Sequence, residues 1–303
     1  MNRYSALSLG CLMTFATGLR AQQGAPQGAP QPRPDQQVVL ITGSTDGLGR
    51  EVAMRVAATG AHVIVHGRNR ERGAAVVAAI DSAGKGSARF YAADFASLDQ
   101  VRALAATVLR DYPRLDILVN NAGIGLIGND GGARQMSADG HEMHFAVNYL
   151  AGYLLTYQLL PRLRAAPAAR VINVSSIGQS PVNFDDVNMT NGYTGGRAYT
   201  QSKLAQVMFT IDLAKELEAT KVRVYSLHPA TYMATTMVVG AGITPRSTVA
   251  QGAEAVMNLV TGANLVNGGF YNGTAPGRAN AQAYDEVARA QLRSLSRRLT
   301  GLN

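Results

Sequence analysis

The sequence predicts an α/β fold: a doubly wound parallel sheet with helices on both faces, in a single domain. Three observations predict it. Short apolar runs alternate with longer stretches of helical periodicity, and the alternation holds from Val38 almost to the C-terminus. The apolar runs are continuous rather than alternating, as expected of strands buried on both faces. Right-handed crossovers between such strands then place helices on each side of one sheet.

The elements follow in order. Val38–Thr42 (VVLIT) is the first strand, and residues 47–59 follow at helical spacing with Leu48, Val52 and Val56 on one side. His62–His66 is a second strand, residues 70–82 a second helix, and residues 88–92 a third strand. Residues 97–111 form a helix for which Ser97 is a natural cap before Asp99. Leu115–Val119 is a fourth strand, residues 141–163 a long helix, and residues 170–174 a fifth strand. Residues 197–219 are a helix, residues 222–227 a sixth strand, and residues 248–261 and 280–299 two helices bracketing a short strand near Phe270. Ligands of such sheets bind at the carboxyl ends of the strands, so chemistry is expected just after residues 42, 66, 92, 119, 174 and 227.

Composition narrows the function classes. With 47% hydrophobic and 16% charged residues, the chain can bury a large core and is not a disordered one. The net charge of +8 is concentrated at the ends: residues 1–37 carry +2 and residues 278–303 carry +3. No basic run interleaved with aromatics occurs, so no nucleic-acid partner is expected and the C-terminal excess reads as a solvated basic tail. Cys11 is the only cysteine, which excludes an internal disulfide and a multi-thiol metal site. His141 and His144 stand three apart with Glu142 between them, but nothing in sequence completes a ligand set, and no metal is expected.

The N-terminus is ambiguous. Arg3, the apolar stretch Ala6–Leu19 and the small-residue site Leu19-Arg20-Ala21 have the outline of a secretory signal. Gly10, Thr14, Thr17, Gly18 and Arg20 count against it, and the stretch is too short to span a membrane. Residues 1–21 therefore read either as a signal or as a disordered start. Residues 22–37 (QQGAPQGAPQPRPDQQ) read as a Gln/Pro/Gly/Ala-rich linker, and the domain is expected over residues 38–303.

The first candidate site follows the first strand: Thr42-Gly43-Ser44-Thr45-Asp46-Gly47-Leu48-Gly49. Glycines between a buried strand and a helix let the backbone approach a pyrophosphate, which then meets free amides at the helix N-terminus. This TGxxxGxG spacing resembles the glycine loop of the short-chain dehydrogenase/reductase family. Further motifs appear in the family's order. Asn120-Asn121-Ala122-Gly123 is similar to its NNAG, and Asn148 lies in a segment like that of its helix asparagine. Ser175-Ser176 ends the fifth strand, and Tyr199-Thr200-Gln201-Ser202-Lys203 matches YxxxK. His228-Pro229 stands where the family has PG. The resemblance covers residues 38–300, and SSIGQSPVNFDD, AYTQSKLAQVMFT and LRSLSRRLTGL are most similar to the retinol-dehydrogenase-like branch.

The resemblance implies a Rossmann-type catalytic domain that moves a hydride between nicotinamide and a carbonyl or alcohol. Tyr199 becomes the proton donor or acceptor, Ser176 polarises the substrate oxygen, and Lys203 lowers the phenol and grips the ribose. Asn148 holds a water linking Lys203 to solvent. A free phenol near pKa 10 suits neutral pH poorly, and bringing it to about 7 takes roughly 4 kcal/mol. Lys203, four residues on and hence on the same helix face, and an oxidised nicotinamide are two cations that supply this.

After the second strand, Gly67-Arg68-Asn69-Arg70 offers no acid for a ribose diol and offers Arg68 for a 2′-phosphate, so NADP is expected over NAD. Ser44 and Thr45 are further hydroxyl donors to it, and Asp46 is a complication because its charge opposes a phosphate. Asp94, followed by Phe95, is expected to meet the adenine amino group. Asn121, Ala122, Gly123 and Pro229 complete the cofactor contacts, with Thr235 as a carboxamide contact. Two departures from the family pattern stand out. Ala230 replaces its Gly, and the interval from Ser176 to Tyr199 is 23 residues, with Asn183, Asp185, Asp186 and Tyr193 in a loop expected near the substrate mouth.

The residues after Pro229 (Thr231, Tyr232, Met233, Met237, Val238 and Val239) point to a hydrophobic substrate or, equally, to core packing. Two other function classes stay open. A non-catalytic NADP-binding sensor or scaffold shares the fold, and an epimerase or lyase of the extended branch shares the Tyr and Lys. The glycine spacing of four then two is that of the short branch. NADP use favours the cytoplasm, with the periplasm or secretion as the alternative if the N-terminal segment is a signal. A homo-oligomer is left open.

Overall fold

The computed structural model describes residues 1, 31–125 and 133–302. Among these residues eight strands form one sheet in the order β3-β2-β1-β4-β5-β6-β7-β8. The first half is β1 (Val38–Ile41), α1 (Gly47–Ala58), β2 (His62–Gly67), α2 (Arg70–Ala83), β3 (Ser87–Ala92), α3 (Leu98–Asp111) and β4 (Ile117–Asn120). The second half is α4 (Ala151–Arg164), β5 (Ala169–Val174), α5 (Gly195–Glu216), β6 (Val222–His228), α6 (Thr236–Gly240), α7 (Val249–Thr261), β7 (Phe270–Asn272), β8 (Ala275–Pro276) and α8 (Glu286–Thr300). Strands β1 to β7 pair in parallel, and β8 turns back antiparallel on β7. The doubly wound reading of the sequence therefore holds.

Both faces of the sheet are buried because successive strand residues point to opposite sides and both sets are apolar. Leu40, Ile64, Leu118 and Val171 join one core layer with α3, α4 and α5. Val39, Ile41, Val63, Ile117 and Ile172 join the other with α1 and α7. Ser97 caps α3 as its sequence position predicts, accepting from the Gln100 amide. The strand order reverses between β1 and β4, which opens the ligand crevice at their carboxyl ends.

Four sequence expectations change. Residues 141–163 are not one regular helix: Phe145–Leu150 form a π-helical stretch that passes into α4. Helix α6 and strand β8 had no sequence signal, being five and two residues long. The linker ends earlier than residue 37. Gln36 is buried, donates to the Gly60 carbonyl at 2.8 Å and accepts at its own carbonyl from Arg114. The His62 amide bonds the Gln37 carbonyl, so the polar residues before β1 are fixed by backbone pairing that composition cannot reveal. Finally, the basic C-terminus is not a solvated tail. Arg289 is buried, bonds Asp212 of α5 at 2.9 Å and the Ala283 carbonyl, and docks α8 on the body.

The secretory-signal reading of residues 1–21 and the start of the linker fall outside the described residues apart from Met1. Among the described residues no helix is long and apolar enough to cross a membrane.

Candidate active site

The glycine loop leaves β1 with Gly43 at φ +63, where a Cβ would lie 2.8 Å from the Ala122 backbone. A Cβ on Gly49 would run into the Gly43 carbonyl oxygen, so the loop can pass this close to α1 only with glycine at both places. Asp46 caps α1 by accepting from the Gly47 amide. The amides of Leu48 and Gly49, in the first turn of α1, have no partner among the described residues. These unspent donors at a positive helix end fit a dinucleotide pyrophosphate.

Several expected cofactor residues hold the loop rather than face outward. The Ser44 hydroxyl is fully buried, donates to the Ile41 carbonyl at 2.7 Å and accepts from the His66 amide, so it is not free for a phosphate. Leu48 points into the core. The Asn121 side chain donates to the Thr42 and Gly43 carbonyls, while Thr42 Oγ1 accepts from the Asn121 and Ala122 amides. Phe95 is buried and stacks on His66 with centroids 4.4 Å apart, so its ring does not line the crevice. Asp94 turns one oxygen onto the Ala96 amide and keeps the other 3.9 Å from Arg68.

Arg68 itself is largely exposed at the carboxyl end of β2. A side chain at the neighbouring Gly67 would press into Thr45, with its Cβ 2.6 Å from Thr45 Cγ2. The charge of Asp46 is met by Arg72 at 3.2 Å, a partner the sequence reading missed because the two lie on different elements. The same carboxylate oxygen accepts the Thr236 hydroxyl at 2.8 Å, tying α6 to the glycine loop. Thr235 caps α6, and a Cβ on Gly47 would meet its methyl at 3.3 Å, so it too stands at the loop. Pro229 is buried after β6.

The catalytic candidates converge from three elements. Asn148 sits in the π-helical stretch, a feature that often marks functional sites. It accepts from the Ile124 amide at 2.7 Å and donates to the Ile124 carbonyl and to Ser202. A Cβ placed on Gly123 would be 3.1 Å from Asn148 Oδ1 and 3.6 Å from Lys203 Nζ, so these three groups enclose one small space. Ser176 follows β5 and accepts from the Gly178 amide at 3.0 Å. Tyr199 and Lys203 lie one turn apart on α5, with Lys203 Nζ 5.7 Å from the Tyr199 ring centroid.

Electrostatics departs from expectation at the phenol. Burial pushes Tyr199 above its ordinary value, with the hydrogen bond to Ser176 pulling the other way. Lys203 is shifted as well, in the direction that makes it harder to protonate. Its ammonium is buried, donates to the Val174 carbonyl at 3.0 Å and to Gln206 Oε1 at 3.1 Å, and burial pulls it down to about 7. Gln206 was also missed, since a glutamine three residues beyond a lysine carries no signal of its own.

His144 is sealed between the Glu142 carboxylate and the Gly125 carbonyl, both at 2.8 Å. It therefore braces the segment after β4, while the loop of residues 177–194 packs back through Asn183, whose amide bonds Gln201. Among the described residues no group of three metal-ligating side chains occurs.

A glycine loop at the strand-order reversal, with Ser, Tyr and Lys gathered beside it, defines the class of dinucleotide-dependent oxidoreductases. The family model for short chain dehydrogenases matches residues 37–245, and the chain belongs to that family. It sits in the retinol-dehydrogenase-like branch. Human retinol dehydrogenase 12 is 38% identical over 196 residues, a match covering 64% of this chain and 60% of that protein. Human retinol dehydrogenase 11 is 30% identical over 283 residues, covering 88% of this chain and 86% of that protein. Among solved structures, a short chain dehydrogenase from Shigella flexneri complexed with NADP superposes with a TM-score of 0.63 at 27% identity, covering 78% of this chain and 96% of that one. An uncharacterised protein from Mycobacterium paratuberculosis gives a TM-score of 0.70 at 29% identity, covering 88% and 94%.

Proposed function

We propose that the chain is an NADP(H)-dependent oxidoreductase that interconverts a carbonyl and an alcohol on a small hydrophobic substrate. The observation that carries this is the convergence of Ser176, Tyr199 and Lys203 beside a loop with unspent helix amides. A bound nicotinamide supplies or takes up the hydride. In the reducing direction the Ser176 hydroxyl donates a hydrogen bond to the carbonyl oxygen and Tyr199 Oη gives its proton to the developing alkoxide. Lys203 keeps a positive charge next to the phenol as that proton leaves, and Asn148 holds the Ile124 backbone at the edge of the same space.

NADP over NAD is supported by the exposed Arg68, by the lack of an acid in Gly67-Arg68-Asn69-Arg70, and by Arg72 offsetting Asp46. The NADP complex of the Shigella relative points the same way. A hydrophobic substrate is supported by the exposed Ile177, Tyr232, Met237 and Val239, and by the retinol dehydrogenases among the relatives.

The test is NADPH oxidation by the purified chain across a panel of apolar aldehydes and ketones, with Tyr199→Phe in parallel. Turnover by the native chain and its loss in the variant support the assignment. NADPH binding without turnover on any apolar carbonyl favours a sensor. No NADPH binding removes the proposal.

A further inference from the structure

His66 is the last-but-one residue of β2, almost wholly buried, and it belongs to no motif that marks the site. Its backbone and ring contact the loops on either side. The Gly43 amide donates to Nδ1 at 3.1 Å, the Ser44 amide donates to the His66 carbonyl at 2.8 Å, and the His66 amide donates to Ser44 Oγ at 3.0 Å. On the other side Nε2 lies 3.2 Å from the Ala93 carbonyl, and the ring stacks on Phe95 at an interplanar angle of 27°. One imidazole thus bridges the start of the glycine loop and the segment after β3.

Only one form of the ring satisfies both neighbours. The Gly43 N–H needs a lone pair at Nδ1, and the Ala93 carbonyl needs a hydrogen on Nε2, so the ring is neutral with its proton on Nε2. Burial agrees, pulling the imidazole down to about 4. An apolar replacement would leave the Gly43 amide and the Ala93 carbonyl without partners, and both loops would relax to recover them.

We propose that His66 is a positioning residue that fixes the adenosine and pyrophosphate end of the dinucleotide site by clamping residues 43–44 to residues 93–95. This rests on the cofactor reading above. It assigns His66 no contact with the cofactor: its effect passes through the geometry of Gly43 and through the place of the Asp94 segment.

The test compares native chain, His66→Leu and His66→Asn by titration with NADPH and with 2′,5′-ADP, which carries only the adenosine end. His66→Leu keeps the volume and loses both polar contacts, whereas His66→Asn keeps an acceptor where Nδ1 lies. Leu is expected to weaken both ligands by about 10-fold or more, the loss of roughly one hydrogen bond's worth of preorganisation. Asn, which serves only the Gly43 side, is expected to recover part of that loss, and with any turned-over carbonyl the rise in KM for NADPH should exceed the fall in kcat. Binding by Leu within about twofold of native overturns the inference and leaves the cofactor reading standing, as does equal weakening by Leu and Asn. If Leu does not fold, Asn and His66→Gln, which reaches only the Ala93 side, each binding both ligands more weakly than native support the clamp, and either of them binding as native does overturns it. No binding of NADPH by the native chain overturns both.

Discussion

Gln206 Oε1 accepts a hydrogen bond from Lys203 Nζ at 3.1 Å, and the Val174 carbonyl takes a second at 3.0 Å. Neither acceptor is charged, so the buried ammonium is held by dipoles alone until a cofactor arrives. That arrangement explains why burial depresses the lysine, and it makes a stability prediction with a definite sign. Between about 7 and 10.5 the unfolded chain binds this proton and the folded chain does not, so stability rises with pH across that window. The limiting slope is about 1.4 kcal/mol per pH unit. Denaturant unfolding of the cofactor-free protein should show native gaining on Lys203→Met from pH 7 to pH 10, and parallel curves for the two would contradict it. Gln206→Met should cost about 1–3 kcal/mol at pH 6, where the amine carries its charge.

Two imidazoles give the opposite end of the pH scale. His62 and His66 are both pulled from 6.5 to about 4, by burial first and, for His62, by the Arg89 charge second. Their stabilising effect is complete above about 6.5 and is lost as pH falls through 4, because the unfolded chain takes up protons the folded chain refuses. Each accounts for roughly 3 kcal/mol over that range. Replacing His62 by Gln should flatten the acid limb of the unfolding curve, and an unchanged limb would show that its proton is not the one responsible.

Tyr199→Phe removes one oxygen from α5 and should lower turnover by about 10²-fold or more. Binding of NADPH should change by less than about threefold, since the phenol's role is the proton rather than the grip. Steady-state rates and fluorescence titration on the same preparation read both quantities.

Arg68→Ala should weaken NADPH by about 10-fold or more and NADH hardly at all, as expected of a guanidinium serving a 2′-phosphate. Equal losses for the two cofactors would take Arg68 out of that role.

Gly49→Ala drives a methyl group against the Gly43 carbonyl oxygen, a backbone atom, and against the Asn121 side-chain amide. It should cost about 1–3 kcal/mol by overpacking and also weaken NADPH. A melting temperature equal to native would mean that the loop can widen without penalty.

Much of this molecule is readable along the chain because its signals are local. Val38–Ile41, His62–Gly67 and Val222–His228 announce themselves as apolar runs, and Ser97 announces the start of α3. Gly43, Asn121 and Ser176 stand just past strand ends, where the alternation of elements places chemistry, and Tyr199 and Lys203 are marked by their four-residue spacing within α5. What stayed hidden depends on partners far away in sequence. Asp46 meets Arg72 and Thr236, Gln36 meets Gly60 and Arg114, and Arg289 meets Asp212, none of which a periodicity can link.

By itself, then, the sequence determined the sheet, the crossovers and the set of groups that meet at its carboxyl end, because hydrophobic period and glycine placement act over a few residues at a time. Only the tertiary structure decided which way those groups face and what state they hold. It turned Ser44, Leu48 and Phe95 inward, put a π-helical stretch under Asn148, and set a half-buried Tyr199 beside a buried Lys203 so that desolvation makes each harder to charge. Desolvation is set by every atom packed around a group, and that packing exists only once the whole chain has folded.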